Sequence, residues 1–158
     1  MNRRKRTLTS LCLLALSAAC VATPVPTPPG LELDVERIEA TPGSMSVRFD
    51  GSEGALTPGP VGLRVTPGPV DSDPVLELGT ANVLADGSFS VSVVSPPDNV
   101  FFFEAITDTE DVFVGAVTIA ADGTVVEADA GPDGDGDGSP DAIDCAPTDP
   151  SLSGQRCR

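Results

Sequence analysis

Residues 85–93 read Ala85-Asp86-Gly87-Ser88-Phe89-Ser90-Val91-Ser92-Val93. A tight-turn signal, Asp86-Gly87, opens onto a segment in which serine and apolar residues alternate. Glycine tolerates positive φ and aspartate can hydrogen-bond its own backbone, so the pair marks a turn. The alternation puts Phe89, Val91 and Val93 on one face of a strand and the serines on the other. This stretch predicts an antiparallel strand with one face in a core and one in water.

The same signature recurs on both sides. Leu31, Leu33, Val35 and Ile38 suggest a first strand. Met45, Val47 and Phe49 alternate against Ser44, Ser46 and Arg48, and Val61, Leu63 and Val65 against Gly62 and Arg64. Further runs span Val75 to Val83, Val100 to Thr107, Val112 to Ile119 and Thr124 to Val126. Between them stand Thr41-Pro42-Gly43, Thr57-Pro58-Gly59-Pro60, Pro67-Gly68-Pro69, Pro96-Pro97-Asp98-Asn99 and Asp122-Gly123, each a predicted break. About seven short strands in a unit of about 95 residues predict an antiparallel β-sandwich of immunoglobulin-like size. Residues 31–127 contain no cysteine, so the expected core is aliphatic and phenylalanine-rich, with no disulfide between the sheets.

The turn and strand at 85–93, followed by Val100 to Asp108 with Ala105-Ile106-Thr107-Asp108 at its end, resemble bacterial Ig-like repeat domains. Carboxypeptidase-regulatory-like domains share the same turn and strand. Both resemblances imply a β-sandwich, and neither implies a catalytic site.

Phe101-Phe102-Phe103 is the most apolar point of the chain. One strand face would hold Phe101, Phe103 and Ala105, the other Phe102, Glu104 and Ile106. Glu104 marks the second face as the outer one and predicts a partly exposed Phe102. That residue is either a contact patch for a partner or the base of a second layer covered by a loop.

Composition narrows the function. The chain has 158 residues, with 9 Lys and Arg against 24 Asp and Glu, a net charge of −15. It lacks histidine, tryptophan and tyrosine. Without histidine there is no Ser-His or Cys-His pair and no imidazole ligand. No acids outside the tail pair as a carboxylate hydrolase requires. The acidic balance disfavours nucleic acid. The expectation is a non-enzymatic protein.

Residues 1–19 predict a secretory signal. Arg3, Arg4, Lys5 and Arg6 precede a short apolar run, Leu11 to Ala19, which falls well below the roughly 20 residues needed to span a bilayer. The end of this segment, Leu16-Ser17-Ala18-Ala19-Cys20, resembles the lipobox of bacterial lipoproteins. That resemblance implies lipid on the Cys20 sulfur, with ordinary cleavage after Ala19 or Ala22 as the alternative. Cleavage would leave 5 basic and 24 acidic residues, a charge of −19. Such a chain is repelled by anionic lipid, so a membrane anchor has to be the acyl chain. Residues 20–30 carry four prolines between Pro24 and Pro29, which favour an extended tether of roughly 30 Å. The expected location is the cell envelope, at the outer membrane, with secretion as the alternative.

Residues 128–158 form an irregular tail. Read as a twelve-residue calcium loop, Asp133, Asp135, Asp137, Asp141 and Asp144 fall at positions 1, 3, 5, 9 and 12, with Gly138 at 6 and the carbonyl of Ser139 at 7. Calcium takes 6–8 oxygen ligands, and alternate carboxylates on a tightly turning chain converge on one point. Gly131-Pro132 forbids the entering helix of an EF-hand. Ser139 and Pro140 can start a single helical turn after the loop. The string Asp133 to Cys145 resembles the thrombospondin type 3 calcium repeat, which implies the same five aspartates as ligands. A solvated acidic linker is the alternative. Cys145 and Cys157 are expected to pair as a disulfide in an exported protein, with two soft-metal thiols the other option. The remaining alternative for the whole chain is an adhesion or assembly module with a protein or glycan partner.

Overall fold

The computed structural model describes residues 30–68, 77–108, 111–144 and 146–150. The signal at 1–19, Cys20, most of the tether, Cys145 and Cys157 lie outside the described residues.

The fold is all-β and antiparallel. In chain order the strands are β1 (Glu32–Leu33), β2 (Ile38–Pro42), β3 (Val47–Gly51), β4 (Leu56–Thr57), β5 (Gly62–Gly68), β6 (Gly79–Asn82), β7 (Phe89–Val93), β8 (Val100–Ile106), β9 (Asp111–Ile119) and β10 (Val125–Glu127). They form a five-stranded sheet in the order β10-β9-β8-β5-β6, a three-stranded sheet β2-β3-β7 and a small pair β1-β4. A short 3-10 turn, Val35–Arg37, interrupts the run expected as one first strand. The cause is Asp34, whose carboxylate accepts from the Glu36 N–H and from Arg37 Nε, a local alternative to the ladder. Among the described residues no helix is long and apolar enough to cross a membrane.

The two larger sheets face each other over one core, as the alternation predicts. Val47 and Phe49 of β3 and Phe89, Val91 and Val93 of β7 meet Leu63 and Val65 of β5, Phe101 and Phe103 of β8 and Val117 of β9. Phe49 stands edge-on to both Phe101 and Phe103, with ring centroids 4.9 and 5.4 Å apart. This is the geometry aromatic quadrupoles favour. Met45, predicted to continue the β3 stripe, is exposed. On the other side, the sheets meet along β6 and β7 through reciprocal Glu77 and Val94 backbone bonds of 3.1 Å.

Two predicted breaks are strand instead. Pro67 and Gly68 pair with Phe101 and Val100, and Pro42 pairs with Val47. Proline fits a strand only where its missing N–H faces no neighbour. Among the described residues β2 is a sheet edge and the β5–β6 pairing ends at Val65, so neither proline faces a strand partner on that side.

Asp86-Gly87 and Asp122-Gly123 form matching turns. In each, the aspartate accepts from the backbone and hydroxyl of the residue two along, Ser88 or Thr124. Gly87 and Gly123 have φ of 85° and 88°, which a β-carbon disfavours.

A second, smaller cluster lies on the outer face of the five-stranded sheet. Phe102, Ala116 and Ile143 are buried together, with Val100, Phe113, Ala128, Ala130 and Ala142 against them. The tail has folded back over the sheet. A bulge between β8 and β9 arranges this: Phe103 pairs with Gly115 and Glu104 with Phe113, which leaves Val114 extra. The extra residue re-phases β9, so Phe113 reaches the outer face beside Phe102. Phe102 is 4% exposed and Glu104 1%. Phe102 is thus not partly exposed; of the two readings the sequence offered, the second layer covered by a loop is the one found, and the cover comes from residues distant in sequence.

Candidate metal centre

The tail reaches its position by extending the ladder. The Ala128 N–H donates to the Ala116 carbonyl at 2.9 Å, one step beyond β10. Gly131 then donates to the Asp129 carboxylate and the chain leaves the sheet. Asp133, Asp135 and Asp137 each accept from backbone N–H groups a few residues ahead. Asp133 accepts from the N–H groups of Gly136 at 2.7 Å and Gly138 at 3.0 Å. Asp135 accepts from Asp137, and Asp137 from Ser139 at 2.7 Å. Gly136 and Gly138 have φ of 76° and 94°, so the turn itself requires glycine there.

These bonds gather charge. Carboxylate oxygens of Asp133, Asp135 and Asp137 lie within 4.8 Å of one another and could hold a metal ion. Two unit charges 4 Å apart repel by about 1 kcal/mol in bulk water and about 4 kcal/mol near a protein surface. A hard cation taking oxygen ligands removes that cost.

Among the described residues the converging carboxylates are these three, and Asp141, Ser139 and Asp144, the other sequence-predicted ligands, are held by hydrogen bonds of their own. Asp141 Oδ1 accepts from the Gly134 N–H at 2.7 Å, and the Asp141 N–H donates to the Pro132 carbonyl at 2.9 Å, tying the two ends of the loop together. Ser139 is buried. The Pro140 carbonyl accepts from Ile143 and Asp144, the single helical turn the sequence predicts. Asp144 Oδ1 accepts from Ala146, while its Oδ2 is buried without a hydrogen-bond partner. Oδ2 of Asp135 and of Asp137 share that condition.

Two features escaped the sequence reading. Ile143 anchors the tail against Phe102, and its signal was available: it is the single large apolar residue between Val126 and Leu152. The second is a buried ion cluster on the same sheet face. Arg64 Nη1 lies 3.0 Å from Asp111 Oδ2 and 3.7 Å from Glu104 Oε2, which is beyond hydrogen-bond reach. Burial pushes the Glu104 carboxyl up; Arg64 opposes this and Asp111 adds to it. A guanidinium held between two carboxylates is a structural ion group, and it offers no open position for a cation.

Comparison of the chain with family models, with curated proteins and with solved structures finds no match.

Proposed function

We propose that this chain is a non-enzymatic protein of the cell envelope, an Ig-like sandwich anchored through lipid on Cys20 and carrying a calcium-binding loop at 133–144. The observation that carries the calcium reading is the convergence of the Asp133, Asp135 and Asp137 carboxylates. By sequence register Asp141, Asp144 and the Ser139 carbonyl would complete an all-oxygen ligand set, the kind a hard cation takes. The buried, unpartnered Oδ2 atoms of Asp135, Asp137 and Asp144 favour a cation over a solvated linker, since buried polar atoms are otherwise paired. Calcium suits the set better than magnesium, which prefers octahedral sites with several retained waters.

The anchor rests on the basic residues at 3–6, the short apolar run and the small residues before Cys20. Metabolic labelling with a palmitate analogue tests it. Label on the native chain that is lost in Cys20→Ser is the expected result; label that persists would overturn the anchor. The calcium loop predicts a rise in thermal midpoint on adding millimolar calcium to chelator-treated protein. An unmoved midpoint would count against it.

A further inference from the structure

The loop residues and the sheet face meet at one short turn. Pro140 opens it, and its carbonyl receives the N–H groups of both Ile143 and Asp144. Ile143 is 3% exposed and packs with Phe102 and Ala116; Asp144, the next residue, is 9% exposed and keeps an unpartnered Oδ2. Gly134, Asp141 and Pro132 tie the start of the loop to the same turn. The turn that fixes the apolar anchor thus also fixes the loop's last carboxylate.

We propose that metal binding and seating of the tail are one coupled event: calcium locks residues 128–144 onto the sheet, and its removal frees them and bares Phe102, Phe113 and Ala116. The inference rests on the calcium reading above. Its physical basis is the cost of burial. The seated tail holds three carboxylate oxygens away from water without hydrogen-bond partners, and burying charge unpaired is costly. A cation supplies the missing partner, so the seated state is favoured only when loaded. Ile143 is the one large apolar side chain of residues 128–144, too little to hold so many Gly, Asp and Pro residues against their conformational entropy without help. The occupant of this sheet face is the chain's own tail.

Linkage makes the test two-sided, because whatever weakens seating must weaken metal affinity by the same factor. The purified chain, stripped with chelator, is titrated with calcium chloride while amide exchange is followed. Calcium should slow exchange at Asp141, Ile143 and Asp144. Phe102→Ala, a sheet substitution that removes no carboxylate, should weaken calcium affinity by about tenfold, inside the usual 5–150-fold range of such couplings. Phe113→Ala, at a less buried ring 6.5 Å from Phe102, should weaken it in the same direction and serves if Phe102→Ala does not fold. If the native chain binds calcium but exchange at these amides is unchanged, or folded variants keep native affinity, the coupling is wrong and the calcium reading stands. If the native chain takes up no calcium at millimolar concentration, the calcium reading itself fails, and the coupling with it.

Discussion

Replacing Arg64 with methionine should be among the most damaging single changes on the outer face of the sheet. The guanidinium serves Asp111 at 3.0 Å and Glu104 at 3.7 Å, with side-chain exposures of 18%, 7% and 1% for Arg64, Asp111 and Glu104. Removing one partner of a buried pair costs about 3–5 kcal/mol, because a charge is left uncompensated. Here two carboxylates lose their cation, but Arg64 is partly solvated, so the lower end applies: about 3 kcal/mol. Glu104→Gln removes the more deeply buried charge and leaves the 3.0 Å Arg64–Asp111 bond intact, so its stability at pH 7 should lie within about 1 kcal/mol of native. In the Arg64→Met background, Glu104→Gln should recover at least about 1 kcal/mol, since one orphaned charge is gone. Urea unfolding at pH 7 reads all three variants. The pH dependence carries a further signature. The folded state holds the Glu104 proton more tightly than the unfolded chain does, chiefly through burial. Its contribution is complete below the ordinary value of 4.5 and is lost as pH rises through the raised pKa. Glu104→Gln should flatten that slope. A loss below about 1 kcal/mol in Arg64→Met, or no relief from Glu104→Gln, would refute the ion-group reading.

Gly68→Ala should lower stability by about 1–3 kcal/mol through overpacking, because a β-carbon there would lie 2.3 Å from Phe102 Cε2 and force the ring off its seat; urea unfolding reads the loss. The Asp86 carboxyl is held below its ordinary value of 3.8, first by the Ser88 N–H, and the Asp122 carboxyl below the same value, first by the Thr124 hydroxyl. Their contribution is present above the unfolded value and fades as pH falls through the lowered pKa. An Asp86→Asn, Asp122→Asn double variant should therefore show a shallower fall of thermal midpoint below pH 3.8 than the native chain.

The strands were legible where alternation was clean. β3, β7 and β8 follow directly from Val47-x-Phe49, Phe89-x-Val91-x-Val93 and the split faces of Phe101-Phe102-Phe103, because period two is a local property of the chain. Pro67-Gly68 misled for a non-local reason: whether proline ends a strand depends on which neighbours that strand has, and sheet order is not written in the segment. The faces of β8 were assigned correctly, yet Phe102 is buried because Ile143, about 40 residues on, comes back to cover the sheet. Likewise the Asp133, Asp135, Asp137 cluster was readable from register alone, while its attachment to the sheet depended on a long-range contact carried by one isoleucine.

Calcium binding by the purified chain is the most direct test of the central claim. Isothermal titration should show one calcium per chain, with a dissociation constant on the order of 10⁻⁴ to 10⁻³ M, the range of extracellular calcium modules. The heat should vanish in an Asp135→Asn, Asp137→Asn double variant. No heat at millimolar calcium, or heat unchanged in that variant, would contradict the account.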